Sequence, residues 1–127
     1  MTVTRFEDLL AWQKARVLTR EIYQLTRTST FRQDRALANQ MQRAAVSVMS
    51  NIAEGFERNS AGDYHRFLIM AKGSCGEIRA QLYVALDADY INQTDFTHLQ
   101  EVTAELGRII GGLVRAVASQ RQKSISR

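Results

Sequence analysis

Apolar residues recur along this chain at the three- and four-residue steps of an amphipathic helix, and four stretches carry the pattern. The first helix is predicted over Phe6–Arg27, opened by Thr4 with Glu7 three residues later, the spacing of a capping box. Thr28-Ser29-Thr30 then reads as a turn, because hydroxyl side chains compete with the helical backbone for hydrogen bonds. The second helix is predicted over Gln33–Arg58, with Thr30 and Gln33 as its capping pair and Leu37, Met41, Ala44, Val48 and Ile52 as its buried face. Asn59–Asp63 interrupts the pattern, with Ser60 and Asp63 spaced for another cap. In the third helix Tyr64, Leu68, Ala71, Cys75, Ile78, Leu82 and Ala85 follow at alternating steps of four and three, the rhythm of left-handed helix packing. After a turn over Ala88–Asn92, the fourth helix is predicted over Gln93–Ala118, burying Phe96, Leu99, Val102, Leu106, Ile109 or Ile110, Leu113 and Val117. No stretch alternates with the period of a strand. The expected fold is all-α: an antiparallel up-down-up-down four-helix bundle, one domain over residues 1–118 with a basic, frayed tail over 119–127.

Composition agrees with long helices. The 127 residues include no proline and 7 glycines, and 45% are hydrophobic, enough for a core. The single cysteine excludes a disulfide framework and a cysteine-based zinc site. No apolar run approaches the roughly 18 residues of a membrane span, and the first residues are polar and charged, unlike a signal peptide. A cytoplasmic protein without membrane contact is expected. Charge adds an asymmetry. Residues 1–105 hold 12 basic and 13 acidic side chains, whereas 106–127 hold Arg108, Arg115, Arg121, Lys123 and Arg127 and no acid. Arg115, Arg121, Lys123 and Arg127 are therefore candidate nucleic-acid contacts, acting on phosphate by charge. The competing role is complementation of the helix dipole and solubility.

Catalytic chemistry finds little support. A di-metal carboxylate centre in a bundle needs Glu-x-x-His pairs, and the chain has none; Asp95 and His98 are a weak copy at the start of the fourth helix. Cys75 sits in the middle of an apolar seam, where a thiol behaves as a small hydrophobe. Gly73, Gly76, Gly111 and Gly112 lie within helices, not in a phosphate loop, and read as devices for close helix approach. No enzyme, metal or cofactor is expected. Two surfaces stand out instead. Arg43, Ser47, Asn51 and Glu54 border the buried arc of the second helix and Ser74 and Glu77 that of the third, a candidate semi-buried polar network with Arg43 pairing Glu54 or Glu77. On the first helix Leu9, Trp12 and Tyr23 fall on an arc apart from Leu10, Leu18, Ile22 and Leu25, interleaved with Arg16, Arg20 and Arg27. That mixture suits an oligomer interface, and secondarily nucleic acid.

Three segments together resemble one family: Leu10–Ala15, Gln42–Gly55 ending in Ser-Asn-Ile-Ala-Glu-Gly, and Phe67–Glu77. The chain is similar over about residues 6–115 to the bacterial four-helix bundle proteins, also called the rRNA intervening-sequence protein family, with relatives among the accessory proteins of diversity-generating retroelements. The resemblance implies a cyclic homo-oligomer, a homopentamer. In the retroelement branch it implies binding of nucleic acid and a reverse transcriptase. It implies no catalytic residues. The expected function is a non-enzymatic oligomeric scaffold that binds nucleic acid, RNA above DNA, through its assembled basic surface. The alternative is a purely structural or protein-interaction oligomer.

Overall fold

The computed structural model describes residues 2–126, with side chains described through Gln120. Four α-helices, α1 (Leu10–Thr26), α2 (Arg35–Glu57), α3 (Ala61–Asp87) and α4 (Gln93–Ser126), pack around one core, and no strand occurs among the described residues. The seam expected on α3 is buried from Leu68 to Ala85, with Tyr64 half-buried at its start. On α4, Ile110 and not Ile109 is fully buried. Thr103, which the apolar pattern passes over, is fully buried as well; its hydroxyl donates to the Leu99 carbonyl at 2.7 Å and so carries no unsatisfied polar group into the core.

Both N-terminal capping pairs fail. The helix expected from Phe6 is broken at Leu9, which is extended (φ −74°, ψ 127°), and Phe6–Asp8 forms a separate 3₁₀ turn with no side-chain cap. In an unbroken helix Leu9 would lie near Arg20 and Arg27 on the outer side, at 100° per residue. The break turns it inward, and it is 8% exposed within the core while Leu10 is left outside. Leu9 is thus not part of a free interface arc. The second failure has the same cause. Residues Phe31–Gln33 form a 3₁₀ turn that drops Phe31 fully into the core, and Asp34, not Thr30, caps α2 by accepting from the Leu37 N–H at 3.0 Å. The Tyr90 ring lies 5.2 Å from that of Phe31, and its hydroxyl donates to Asp34 Oδ2 at 3.1 Å. One carboxylate therefore starts α2 and holds the turn between α3 and α4. The other two starts follow expectation: Ser60 Oγ accepts from the Asp63 N–H, and Asn92 Oδ1 from the Asp95 N–H. At the far end α4 continues to Ser126, past the expected stop at Ala118, because Gln120 to Lys123 are good helix formers and no glycine or proline intervenes.

Each helix touches two others. The α1–α2 seam is joined by Thr19 to the Ala45 carbonyl and Gln42 to Thr26, and α2–α3 by Ser74 to Ser47. Gln100 donates to the Arg79 carbonyl between α3 and α4. Helices α1 and α3 make no contact and lie on a diagonal. The closest approach is α2 to α3 at Gly55, where a Cβ would stand 2.7 Å from the Phe67 Cβ. The α1–α4 seam is the thinnest. It is held by Lys14 to Glu105 at 3.1 Å and His98 Nε2 to Glu21 Oε1 at 3.0 Å.

That second pair makes part of the stability pH-dependent. Hydrogen bonding to Glu21, then its charge, raises the His98 pKa above its ordinary 6.5. A raised histidine contributes stability that is full below the unfolded pKa and is lost as pH rises through the folded one. Wild type should therefore exceed His98→Gln in urea unfolding at about pH 5.5, and the gap should close by about pH 8.5. Equal gaps at both pH values would mean that the imidazolium–carboxylate pair contributes nothing.

Candidate nucleic-acid interface

Helices α3 and α4 leave a hollow of about 410 Å³ between them, and its walls are unusual in charge. Lys72 and Arg79 line it from α3, Arg108 and Arg115 from α4, and no acidic residue contributes to the lining. Gly76, Gly107 and Gly111 form much of the rest, so that backbone and not side chains makes the floor shallow and accessible. Cations converge at Gly111: a Cβ placed there would lie 3.6 Å from both Lys72 Nζ and Arg115 Nη1. Among the described residues no carboxylate comes within 4.0 Å of any of the four cations. Arg79 is held in place by Gln100 Oε1, which accepts from its Nε at 3.1 Å. Like charges gathered without a counter-charge repel one another, and the arrangement is relieved by a bound polyanion.

Cys75 lies under this hollow and does not add reactivity. Burial pushes its thiol up to about 11, so it is protonated at neutral pH and is not a poised nucleophile. Among the described residues no three metal-ligating side chains gather.

Of the four tail residues expected to meet phosphate, Arg115 lies in the groove; the side chains of Arg121, Lys123 and Arg127 lie outside the described residues. Lys72, Arg79 and Arg108 were not anticipated. Their signal was present as two cation pairs spaced seven residues apart, Lys72 with Arg79 and Arg108 with Arg115, each pair on one helix face.

The expected polar network is smaller than its six candidates. Asn51 Nδ2 donates to the Ser47 carbonyl and to Ser47 Oγ, and Ser74 Oγ bonds to Ser47 Oγ at 3.1 Å, joining α2 to α3. Glu54 pairs instead with Arg58, one turn along its own helix. Arg43 and Glu77 line one hollow but form no ion pair. On α1, Trp12 is half-buried edge-on against Phe6 at 5.1 Å, and Arg16 lies over its ring. Tyr23 is half-buried under Arg27, and Arg20 is exposed. The helical glycines also divide. Neither Gly73 nor Gly76 is approached by anything within 4 Å of a Cβ position, so neither serves helix packing inside the chain. Beside Gly111 and Gly112 the near groups are Lys72 and Arg115 side chains, not a helix backbone.

No curated protein matches the chain. Among solved structures, a crystal structure at 1.70 Å resolution of a protein of unknown function, from the S23 ribosomal protein family of Bacteroides thetaiotaomicron VPI-5482, has the same fold. Its TM-score is 0.76 at 17% sequence identity, over 83% of this chain and 98% of that one. Residues 7–112, which span all of α1, α2 and α3 and the groove-forming stretch of α4 as far as Arg108 and Gly111, match the description of a single family. With four helices on one core and this match over most of its length, the chain belongs to the 23S rRNA-intervening sequence protein family.

Proposed function

We propose that this chain is a non-enzymatic, cytoplasmic scaffold that self-associates and binds nucleic-acid backbone, RNA above DNA, in the groove between α3 and α4. The observation that carries the proposal is the convergence of Lys72, Arg79, Arg108 and Arg115 on one hollow without a carboxylate. Four cations on a shallow backbone floor suit a strand of phosphates better than a small ligand, since charge alone carries no base specificity. The family's description ties its members to 23S rRNA intervening sequences, which favours RNA as the ligand class. The helices are proposed to run antiparallel, up-down-up-down. Contacts whose residue numbers move in opposite directions support this: Thr19–Ala45 with Gln42–Thr26, and Glu21–His98 with Lys14–Glu105. A cyclic assembly, a pentamer by the family likeness, multiplies a formal charge of +4 per chain into a strong field.

The test is the salt dependence of binding to single-stranded RNA and duplex DNA. Four phosphate contacts per chain give a log–log slope of about −3 on single strands and nearly −4 on duplex. Replacing Lys72, Arg79, Arg108 and Arg115 by Gln should remove most of that slope while leaving the fold intact. A slope unchanged in this variant would move any nucleic-acid surface elsewhere. No binding by wild type at low salt would favour a purely structural or protein-interaction oligomer.

A further inference from the structure

We infer that the outer face of α3 on one copy of this chain receives the outer face of α1 on the next, in a head-to-tail contact. The inference rests on the proposed self-association and assigns its two surfaces. On the outer side of α3, Ile69, Met70, Tyr83 and Val84 are 48–56% exposed, and Gly73 and Ala80 lie between them. At 100° per residue, Ile69, Gly73, Ala80 and Tyr83 fall within an arc of about 80°. With its opposite side in the core, α3 is apolar on both sides, the pattern of a helix buried all round. Glycine in mid-helix weakens the helix unless something uses the room it leaves. Nothing in this chain does so at Gly73, where a Cβ would meet no atom within 4 Å.

Charge selects the occupant. The α3 face carries Glu77 near its middle and Asp87 at its end, both exposed and without an ion pair among the described residues. A second α3 laid against it antiparallel would bring Glu77 near its own counterpart, an unfavourable pairing. Helix α1 offers the opposite sign. Leu10 and Val17 are 55% and 46% exposed on its outer side, and Arg16, Arg20 and Arg27 run beside them. The aliphatic pair fits the glycine notch while the guanidiniums meet the carboxylates. Because α1 and α3 lie on the diagonal of the bundle, the two faces point away from each other. Each copy is therefore joined on both sides, and the contact propagates until a ring closes.

The test is sedimentation equilibrium of the full chain with Gly73→Arg, which blocks the α3 face, and Val17→Glu, which sets a like charge against it. Each should raise the dissociation constant at least about 30-fold, the scale of an interface anchor, with helical circular dichroism and cooperative melting retained. Ala80→Arg, two turns further along the stripe, is an independent reading of the same face. Equimolar mixing of Gly73→Arg with Val17→Glu should restore a complex containing both chains, since each keeps the surface the other lacks. Variants that assemble like wild type would overturn the assignment and leave self-association standing. Dissociated variants that form no mixed complex would also overturn it, in favour of a face that pairs with itself. A monomeric wild type at about 100 μM, far above the Kd of a stable assembly, would overturn self-association as well.

Discussion

Phe31→Ala is expected to cost about 3–5 kcal/mol of folding stability, a large fraction of the roughly 5–15 kcal/mol that holds a domain of this size. The ring is fully buried at one end of the molecule, in the 3₁₀ turn between α1 and α2. Its walls are poorly placed to collapse. Tyr90 faces it at 5.2 Å and is tied by its hydroxyl to Asp34, and Asp34 is committed to the first turn of α2. A cavity whose lining is pinned in this way retains its volume, and the penalty rises with the volume retained. Urea unfolding followed by circular dichroism measures the loss as a lower midpoint at unchanged slope. A cost below about 1 kcal/mol would show that Tyr90 and the turn move inward to fill the space.

Gly55→Ala should destabilise the protein by about 1–3 kcal/mol, against the direction of helix propensity. Alanine in mid-helix is favoured over glycine by about 1 kcal/mol, so a helix considered alone would gain. Here the new methyl would stand 2.7 Å from the Phe67 Cβ and 3.2 Å from Tyr64 Cδ1. The Phe67 Cβ is fixed to the α3 backbone and cannot rotate away, so α2 and α3 must separate along their contact. Gly73→Ala is the control: the same substitution in mid-helix, with no atom within 4 Å of the new methyl. Thermal melts of the two variants should shift in opposite directions on the folded single chain. If Gly55→Ala melts above wild type, the helices accommodate the methyl and the close approach is not limiting.

The helices themselves were legible because burial repeats with the helical period, and the α3 seam is buried where the period places it. Their starts were less so. Thr4 with Glu7 and Thr30 with Gln33 satisfy a capping pattern, yet neither caps. In each case burial of one large side chain, Leu9 or Phe31, outweighs the local hydrogen bonds, and a 3₁₀ turn results. Local spacing does not contain that competition. The polar stripe shows the same division. Asn51 with Ser47 and Glu54 with Arg58 are four residues apart and readable on one helix. Ser74 meeting Ser47 depends on the register of α3 against α2. The groove was readable only as two separate cation pairs. Their convergence over Gly111 follows from how α3 lies against α4, which no single-helix period encodes.

The thin seam between α1 and α4 bears on how the chain assembles itself. Helices α2, α3 and α4 meet as neighbours in the chain through short turns, so their contacts close at small entropic cost. The Glu21–His98 pair spans 77 positions, and its loop must be closed before it yields any return. Docking of α1 onto α4 is accordingly a late event in folding and an early one in unfolding. The three later helices form the more persistent cooperative unit, and α1 is the segment whose amides open to solvent without global unfolding.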